Sequence, residues 1–324
     1  MNYSFLNTIN NILKIDKLKS ILIAISGGQD SIYLIKLIEV LMTFSRFNKN
    51  KIEYIYIDHQ WKIDSEKQIE HLINYLKIFK ITINIYQIKN IILSENISRI
   101  NRYHTIINHA KKFKYNIIIT AHSNTDKLET FFINLIRGTS IEGASSLTFH
   151  RKLNNKLHII RPLIHYNRIY INWYCRKFFL PIWSDNSNNN YLIQRNRIRY
   201  ELIPYLKKYF HPNIEKNLRF FLRNSFYDNE YIKKNIINLY INLCHKKYIA
   251  LNYLSLKNQT LNIQIRILQL FFYHNFCLLL EPNYIIKLIK FINIKYSNKI
   301  IDWRYFQIKK ESKWIYIILK NIKT

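Results

Sequence analysis

Glycine is scarce in this 324-residue sequence, which contains only four, whereas about 7% of the residues in an average protein are glycine. Ile, Asn, Lys, Tyr and Phe dominate instead, and this composition indicates an AT-rich genome. Glycine alone adopts positive φ freely and lets the backbone approach a ligand, so the four that remain are expected where no other residue fits. They are Gly27, Gly28, Gly138 and Gly143.

Cysteine is also rare, and the three cysteines, Cys175, Cys244 and Cys277, lie far apart in the sequence. They form no CxxC pair, and their number is odd. This spacing excludes a disulfide framework and a cysteine-based zinc cluster, and it favours a reducing compartment.

Long apolar runs are missing, because none approaches the roughly eighteen residues that a membrane-spanning helix needs. The first twenty residues contain neither a secretory apolar segment nor an Arg-rich transit pattern. We therefore expect a soluble protein that acts in the compartment where it is made.

Acidic residues are few: 20 Asp and Glu stand against 50 Lys and Arg, which gives a formal net charge of +30. The excess is spread over both halves of the chain. A charge of this size favours a polyanionic partner, with nucleic acid as the first candidate. The alternative is a genome-wide bias towards lysine codons.

Strand and helix patterns alternate through the first 140 residues. The predicted pairs are Ile21–Ile25 with Ser31–Thr43, Ile52–Ile57 with Asp64–Phe79, Ile81–Ile88 with Glu95–Phe113, and Asn116–Thr120 with Asp126–Ile136. Four βα units in series predict the α/β class, with a parallel sheet covered by helices on both faces.

The remainder of the chain predicts a short strand at His158–Ile160 and helices at Tyr166–Phe179 and from Asn196 onward. Residues past about 210 are predicted to be mostly helical. Lys299–Ile308 and Lys313–Leu319 alternate as strands and predict a terminal hairpin around a Lys-Lys-Glu-Ser turn. A chain of this length suits two to three domains, and we expect a catalytic domain at 1–210 and a mostly helical appendage at 211–324.

The segment Ser26-Gly27-Gly28-Gln29-Asp30-Ser31 follows the first predicted strand and opens the first helix. Ligands of open α/β sheets bind beyond the carboxyl ends of the strands. Successive N–H groups in such a loop, with the helix N-terminus, form an anion cradle, and Asp30 can hold Mg²⁺ against phosphates. The alternative is an ordinary tight turn in which Ser31 caps the helix.

This segment resembles the SGGxDS loop of the PP-loop ATP pyrophosphatases, which cleave ATP between the α and β phosphates. It lacks the GxxxxGK[ST] pattern of Walker-type kinases. The resemblance implies that Ser26 to Ser31, including Gln29, bind ATP. The loop indicates the chemistry without fixing the substrate, because the superfamily includes small-molecule synthetases, tRNA thiolases and tRNA(Ile)-lysidine synthetases.

Three further motifs are similar to those of the lysidine synthetases. Asp58-His59-Gln60-Trp61 with Asp64-Ser65 is similar to DHQWRxDS. Glu95, Arg99, Arg102 and Tyr103 match ExxxRxxRY. The segment 121–130 is similar to AHxxDDxxET, although Thr125 replaces the first of its paired acids, and it is followed by a Leu-Ile-Arg-Gly sequence that contains Arg137.

The resemblance implies roles for these residues. Asp58, His59, His122, Asp126, Glu129 and Arg137 are expected around the reacting centre, where Asp126 and Glu129 hold Mg²⁺ or bind and deprotonate an incoming lysine amine. Arg99 and Arg102 are expected to contact nucleotide or tRNA phosphate. Helix capping by Asp64, a solvated salt-bridge face and interaction of the acids with a helix dipole are the structural alternatives.

A last group of motifs begins with Arg161-Pro162-Leu163 and continues with Trp183-Ser184-Asp185-Asn186-Ser187-Asn188, similar to the RPLL and DxSN sequences of the same family. The RNxIR match consists of Arg195, Asn196, Arg197, Ile198 and Arg199. Its arginines can neutralise phosphate with bidentate geometry. Lys207 and Lys208, interleaved with aromatic residues, are also expected to bind RNA, although plain core packing is the alternative.

Together the resemblance implies an ATP-dependent ligase whose appendage at 211–324 binds tRNA. It would adenylate the C2 oxygen of the wobble cytidine in the CAU anticodon of tRNA(Ile) and then ligate free lysine, with ATP and Mg²⁺ as cofactors. The alternatives are another PP-loop enzyme, such as a tRNA thiolase, and a catalytically degenerate RNA-binding protein. Thr125 resembles the cyanobacterial and plastid branch, so the plastid stroma is the expected location, with the cytoplasm of an AT-rich bacterium as the alternative. The oligomeric state stays open, a homodimer included.

Overall fold

Residues 20–44, 52–58, 60, 65–79, 81–88, 95–183, 191, 193–294 and 300–319 are described by a computed structural model. They separate into two compact units, which divide between Arg223 and Asn224, inside the helix Ile214–Leu243. The sequence predicted a division after residue 210. None of the described helices is both long enough and apolar enough to cross a bilayer.

The first unit is built from strand and helix pairs. Its strands are β1 (Ile21–Ile25), β2 (Ile52–Asp58), β3 (Ile83–Gln87), β4 (Ile117–Thr120), β5 (His150–Lys152) and β6 (His158–Ile160). Its helices are α1 (Gln29–Phe44), α2 (Ser65–Lys77), α3 (Glu95–Lys112), α4 (Asn124–Ile136), α5 (Ile141–Ala144), α6 (Arg168–Lys177), α7 (Gln194–Arg197) and α8 (Ile203–Tyr209). A 3₁₀ turn at Pro162–His165 precedes α6, and a π-helical segment at Ile198–Leu202 joins α7 to α8.

The sheet of the first unit has the strand order β3-β2-β1-β4-β6-β5. Ile21 of β1 pairs with Ile52 of β2 on one side and with Ile117 of β4 on the other, and all strands except β5 run parallel. The chain therefore leaves β1 on one side and returns on the other. Such a switch point is where open α/β sheets place their ligands.

Helices cover both faces of this sheet. Ile21, Ile23 and Ile25 alternate with Leu22 along β1, and they pack in a cluster with residues of α1, α2 and α6. Leu22 lies on the opposite face, in a cluster with residues of α3 such as Ile106. Burial on both faces explains why the strands appear in the sequence as nearly unbroken apolar runs. The predicted parallel sheet with helices on both faces is confirmed.

The second unit combines helices with a small antiparallel sheet. Its helices are the last part of α9 (Ile214–Leu243), α10 (Tyr253–Lys257), α11 (Leu261–Phe276) and α12 (Pro282–Asn293). Its strands are β7 (Ala250–Asn252), β8 (Ile300–Trp303), β9 (Phe306–Glu311) and β10 (Trp314–Leu319), in the order β7-β10-β9-β8. The prediction of a mostly helical region that ends in a hairpin is confirmed.

Details of that hairpin differ from the prediction. The single strand predicted at Lys299–Ile308 is two strands, because the chain turns at Arg304, which adopts a φ of 49°. The next turn lies at Ser312 and Lys313 and not at 309–312, since Glu311 pairs with Trp314. Neither turn contains the Asn-Gly or Asp-Gly signal that marks a two-residue hairpin turn in a sequence.

Lys310 on β9 has its side chain inside the second unit, where only 1% of its surface is exposed. Its Nζ donates to the carbonyl oxygens of Ile292 and Ile294 at the end of α12, and it lies 4.1 Å from the centre of the Tyr253 ring. The last carbonyls of a helix have no partner within the helix. The ammonium group therefore caps α12 from the neighbouring sheet.

The substitution Lys310→Ala is expected to lower the free energy of unfolding by about 2–3 kcal/mol, because it leaves buried carbonyl groups without a donor and removes a packed side chain. Lys309→Ala is the matched control, since Lys309 is exposed on the other face of the strand, and it should cost less than about 0.5 kcal/mol. Urea denaturation of both variants measures the difference. Equal losses would contradict the capping role.

Candidate active site

The carboxyl ends of β1, β2 and β4 surround a cleft of about 340 Å³. Asp58, the last residue of β2, lines it together with Ser26 and His122, which follow β1 and β4. The structure therefore brings together the strand ends that the sequence singled out. The apolar part of the lining is formed by Ala24, Ile55, Ile57, Tyr103 and Ile106.

The loop from Ser26 to Ser31 is fixed by side chains at both of its ends. The N–H of Ser26 donates to Oγ of Ser31 at 3.0 Å, and the two hydroxyl groups lie 3.0 Å apart. The carbonyl of Ser26 accepts a hydrogen bond from Nε2 of Gln68 at 3.0 Å. These contacts satisfy the polar groups at the start of the loop before any ligand binds.

Gly27 occupies a position that only glycine fits. Its φ is +73°, and a Cβ atom there would lie 2.8 Å from Nε2 of Gln68. The surviving glycine thus permits both the left-handed turn and the close approach of the α2 side chain. Gln68 was missed by sequence reasoning, because a single glutamine inside an amphipathic helix gives no signal of a contact 42 residues away.

The N–H groups of Gly27 to Ser31 donate to no acceptor within the described part of the chain. They lie at the N-terminus of α1, where the first N–H groups of a helix have no acceptor within the helix. Groups of this kind, together with the helix dipole, bind anions such as phosphate. The loop therefore has the free donors that a phosphate cradle requires.

Asp30 lies in the first turn of α1 and faces the cleft. Burial, followed by the nearby charge of Asp126, raises the pKa of its carboxyl group to about 6, although Arg168, the Gln29 amide and Arg199 oppose the shift. Nε2 of Gln29 donates to Oδ1 of Asp30 at 3.3 Å. A cation placed between the two acids would relieve their repulsion.

Asp126 and Glu129 lie on one face of α4, and both are close to Arg199, which belongs to the π-helical segment Ile198–Leu202. Nε of Arg199 donates to Oε1 of Glu129 at 2.6 Å, and its Nη2 lies 3.8 Å from Oδ1 of Asp126. Oδ2 of Asp126 also accepts a bond of 2.7 Å from the N–H of Ser123. The arginine that the sequence assigned to RNA is thus held beside the two acids of α4.

Burial and neighbouring charges shift the pKa values of the side chains in this group. Burial, and then the charge of Asp126, raises the pKa of Glu129 to about 7. Burial alone would raise the pKa of Asp126 as well, but His122, the Ser123 N–H and Arg199 outweigh it and lower the pKa. Burial lowers the pKa of His122, so its imidazole is neutral at pH 7, bonded through Nδ1 to Thr120 at 2.8 Å.

A second cleft, of about 850 Å³, lies on the other side of the loop. Ser26, Asp30 and Arg102 line both clefts, whereas Gly28 and Gln29 line only this outer one. It is more cationic than the inner cleft, because Arg168, Arg199 and Lys207 also contribute to its lining. Trp183, which opens the segment matched to DxSN, also lines this cleft. Arg168 lines it too, but sequence reasoning missed this residue, since it belongs to none of the matched motifs.

Other predicted site residues line the inner cleft or lie next to residues that line it. Asp58 lines the inner cleft, and one of its carboxylate oxygens accepts a bond from the N–H of Gln60 at 2.9 Å. Arg102 and Arg195 line the inner cleft. The guanidinium of Arg99 lies over the ring of Tyr103, which in turn stacks on His122. His59 falls outside the described residues, as do Trp61, Asp64 and residues 184–188.

Some of the predicted site residues do not line the inner cleft. Arg137 follows the last residue of α4, about 16 Å along the helix from Asp126, and its Nη2 donates to Gln194 at 3.3 Å. Arg197 pairs with Glu201 on the surface. Asn196 is buried, Lys207 pairs with Glu215 at 2.7 Å, and Nζ of Lys208 lies over the ring of Tyr209.

The substitution Arg199→Gln should reveal the buried ion pair. It leaves the Glu129 carboxylate without a cation and is expected to cost about 3 kcal/mol of unfolding free energy at pH 8. The loss should shrink as the pH falls through about 7, because there the Glu129 carboxyl is protonated in the folded protein.

Arg197→Gln is the matched control, since the exposed pair with Glu201 is worth less than about 0.5 kcal/mol. Urea denaturation of both variants at pH 8 and pH 6 measures the effect. A loss for Arg199→Gln that is the same at both pH values would contradict the described electrostatics.

Comparisons with known proteins agree with this geometry. Residues 1–206 match the family described as the PP-loop domain. The chain is 49% identical over 319 residues to the chloroplastic tRNA(Ile)-lysidine synthase of Gracilaria tenuistipitata var. liui, with 98% of each chain covered. It is 36% identical over 323 residues to the chloroplastic tRNA(Ile)-lysidine synthase of Pyropia yezoensis, with 99% of this chain and 96% of that one covered.

A solved structure shares the fold. It is the U34-tRNA thiolase NcsA from Methanococcus maripaludis with its 4Fe-4S cluster, and the TM-score is 0.52 at 16% identity over 68% of this chain and 78% of that chain. This likeness concerns the fold alone, whereas the match to the PP-loop domain and the similarity over nearly the whole chain concern the family. On these grounds the chain belongs to the tRNA(Ile)-lysidine synthase family of PP-loop enzymes.

Proposed function

We propose that the protein ligates lysine to C2 of the wobble cytidine, position 34, in the CAU anticodon of tRNA(Ile), with conversion of ATP to AMP and pyrophosphate. The product, lysidine, changes the codon that the tRNA reads from AUG to AUA. The observation that carries this proposal is the loop Ser26–Ser31, whose free N–H groups lie beside Asp30, Asp126 and Arg199.

The two clefts suit different parts of the substrates. The inner cleft has apolar walls, as a site for a base and a ribose requires. The outer cleft is lined by Gly28, Gln29 and several cations, and it suits phosphate groups and an RNA strand. Ser26 and Asp30, which line both clefts, then lie where the α-phosphate would be attacked.

Activation is the chemical purpose of ATP in this reaction. The C2 oxygen of cytosine is a poor leaving group, so it first forms a bond to the α-phosphorus while the bond from that phosphorus to the bridging oxygen breaks. Pyrophosphate leaves with the bonding electron pair. A lysine amine that has lost its proton to solvent then attacks C2, and AMP leaves as the bond from C2 to the adenylated oxygen breaks. The protein contributes positioning and fixed positive charge along this path.

Magnesium fits the acids of this site. Among the described residues no group of three or more His, Cys, Asp or Glu side chains forms a metal site, and Mg²⁺ typically uses one or two carboxylates together with substrate phosphates. Asp30 is the proposed ligand, because burial and Asp126 raise its pKa. When bound, the ion would neutralise charge that develops on the phosphates.

Lysine binding is proposed at Asp126. This acid lines the inner cleft and its pKa is lowered, so it is a carboxylate at neutral pH that can hold an ammonium group. Glu129 is completely buried behind it and bonded to Arg199. The proposed task of Glu129 is to hold Arg199 in place.

RNA binding is proposed for cationic side chains near the outer cleft and on the adjacent surface. Arg102, Arg195 and Lys207 line one of the two clefts or both. The further proposed RNA-binding residues are Arg99, Asn196, Arg197, Arg199 and Lys208. The net charge of +30 supports a polyanionic substrate. The plastid stroma is the proposed location, since both relatives named above are chloroplastic.

The rival thiolase function fits the cysteines poorly. Cys175 is buried beneath the loop, with Sγ 3.8 Å from the carbonyl oxygen of Gln29. Burial, and then the charge of Asp30, raises its pKa to about 12, so the group is a thiol and not a nucleophilic thiolate. Cys244 and Cys277 belong to the second unit and form no pair with it.

Incubation of the protein with ATP, Mg²⁺, radiolabelled lysine and tRNA(Ile) bearing CAU tests the proposed function. Label is expected in the tRNA, and a tRNA with UAU in place of CAU should remain unlabelled. The substitution Asp30→Asn should lower the rate at least about 100-fold, because it removes the carboxylate proposed to hold Mg²⁺ at the phosphates. Asp228→Asn, at an exposed position, should leave the rate unchanged.

Two outcomes would overturn the proposal. Absence of any tRNA-dependent exchange between ATP and pyrophosphate would indicate a degenerate RNA-binding protein. Exchange without lysine incorporation, accompanied by transfer of sulfur to the tRNA, would indicate a thiolase.

A further inference from the structure

Arg168 is a cation beside the loop that no sequence motif identified. It is the first residue of α6 and lines the outer cleft together with Gly28, Gln29 and Asp30. Its charge reaches the acids of the site, because it lowers the pKa values of Asp30 and Asp126. The guanidinium therefore lies within the electrostatic field of the reacting centre.

The other cations of the outer cleft differ from Arg168 in their partners. Arg199 is bonded to Glu129 at 2.6 Å, and Lys207 is paired with Glu215 at 2.7 Å. The side chain of Arg168 forms no ion pair or hydrogen bond with any described residue. Because a guanidinium presents five N–H donors in a planar fork, Arg168 has donors available for an anionic ligand.

The position of Arg168 is fixed by contacts between α6 and α1. The Cys175 thiol lies against the carbonyl of Gln29, and the ring of Tyr33 packs edge-on against those of Tyr166 and Tyr174, at 6.0 and 4.9 Å between ring centres. This aromatic cluster thereby joins α1, the helix that follows the loop Ser26–Ser31, to α6. A charge placed in this way needs little reorganisation during the reaction.

We propose that Arg168 binds the β and γ phosphates of ATP and stabilises the pyrophosphate that leaves. This inference rests on the proposed function, to which it adds a specific residue for the leaving group. In the adenylation step the bond from the α-phosphorus to the bridging oxygen breaks, and its electron pair adds negative charge to pyrophosphate. Arg168 offers a positive charge on the side of the loop that Gly28 and Gln29 line.

The in-line geometry of phosphoryl transfer separates this role from that of Arg199. The attacking oxygen and the leaving oxygen lie on opposite sides of the α-phosphorus. With pyrophosphate next to Gly28, Gln29 and Arg168, the nucleophile approaches from the side of α4, where Arg199 and Glu129 are paired. One arginine therefore serves the leaving group, whereas the other orders the acids.

Binding of inorganic pyrophosphate in the presence of Mg²⁺, measured by calorimetry without tRNA or lysine, tests the inference. Arg168→Gln is expected to weaken binding at least about tenfold, and Arg168→Lys should restore part of it, because lysine keeps the charge and loses the fork. Arg176→Gln is the matched control, since Arg176 is exposed on the same helix and lines neither cleft. Thermal melting should show that all variants are folded.

Kinetics provide the second measurement. In Arg168→Gln the rate of tRNA adenylation should fall about 100-fold, while the Kd for tRNA stays within about twofold of the wild type. Unchanged pyrophosphate binding with weakened tRNA binding would overturn the inference and assign Arg168 to RNA. Pyrophosphate binding is measured without tRNA and lysine, so its result is independent of the lysidine assay. The inference about Arg168 can therefore be wrong while the proposed function is right, and the proposed function can be wrong while Arg168 still binds pyrophosphate.

Discussion

The hydrogen bonds that hold the loop Ser26–Ser31 are the constraint on which the site depends. The Ser31 hydroxyl accepts from the Ser26 N–H, and the amide of Gln68 donates to the Ser26 carbonyl. These two bonds fix the chain as it leaves β1, and Gly27 supplies the left-handed turn. As a result the following N–H groups point to no acceptor in the described chain, and they can bind an anion without first breaking protein contacts.

Around this loop the fold concentrates charge on buried and half-buried side chains. Asp30, Asp126 and Glu129 come from two helices that begin at the same edge of the sheet, and Arg199 compensates part of their charge. Burial raises the pKa values of Asp30 and Glu129, and the charge of Asp126 adds to both shifts, whereas Arg199 opposes them. Shifts of this kind are typical of functional sites, where substrate and metal supply the missing charge.

Local sequence patterns predicted much of this architecture. Strands β1 and β6 lie at their predicted residues, and the loop that follows β1 has the predicted position, because apolar runs and surviving glycines are local signals. Strand β5 was missed: its three residues, His150–Lys152, are all exposed and carry no apolar pattern. Contacts between distant segments, such as Gln68 with Ser26 and Arg168 beside Gln29, were also missed, since they arise only when helices pack against the sheet.

The same distinction applies to the charged residues. A motif match placed Arg137 near the reacting centre, but Arg137 follows the last residue of the helix α4, whereas Asp126 lies in its first turn. Arg199 was assigned to RNA from the RNxIR match and from the affinity of arginine for phosphate, and folding brings it to Glu129, 70 positions earlier in the chain. The motif matches therefore singled out particular charged side chains, whereas the partners of those side chains are set by tertiary packing.

Hydrogen exchange at the loop, read by mass spectrometry with and without α,β-methylene-ATP and Mg²⁺, tests the central claim most directly. The account predicts slower exchange in the peptide that contains Gly27 to Ser31, because phosphate oxygens accept bonds from its N–H groups. Unchanged exchange in that peptide at a saturating concentration of the nucleotide would contradict the account.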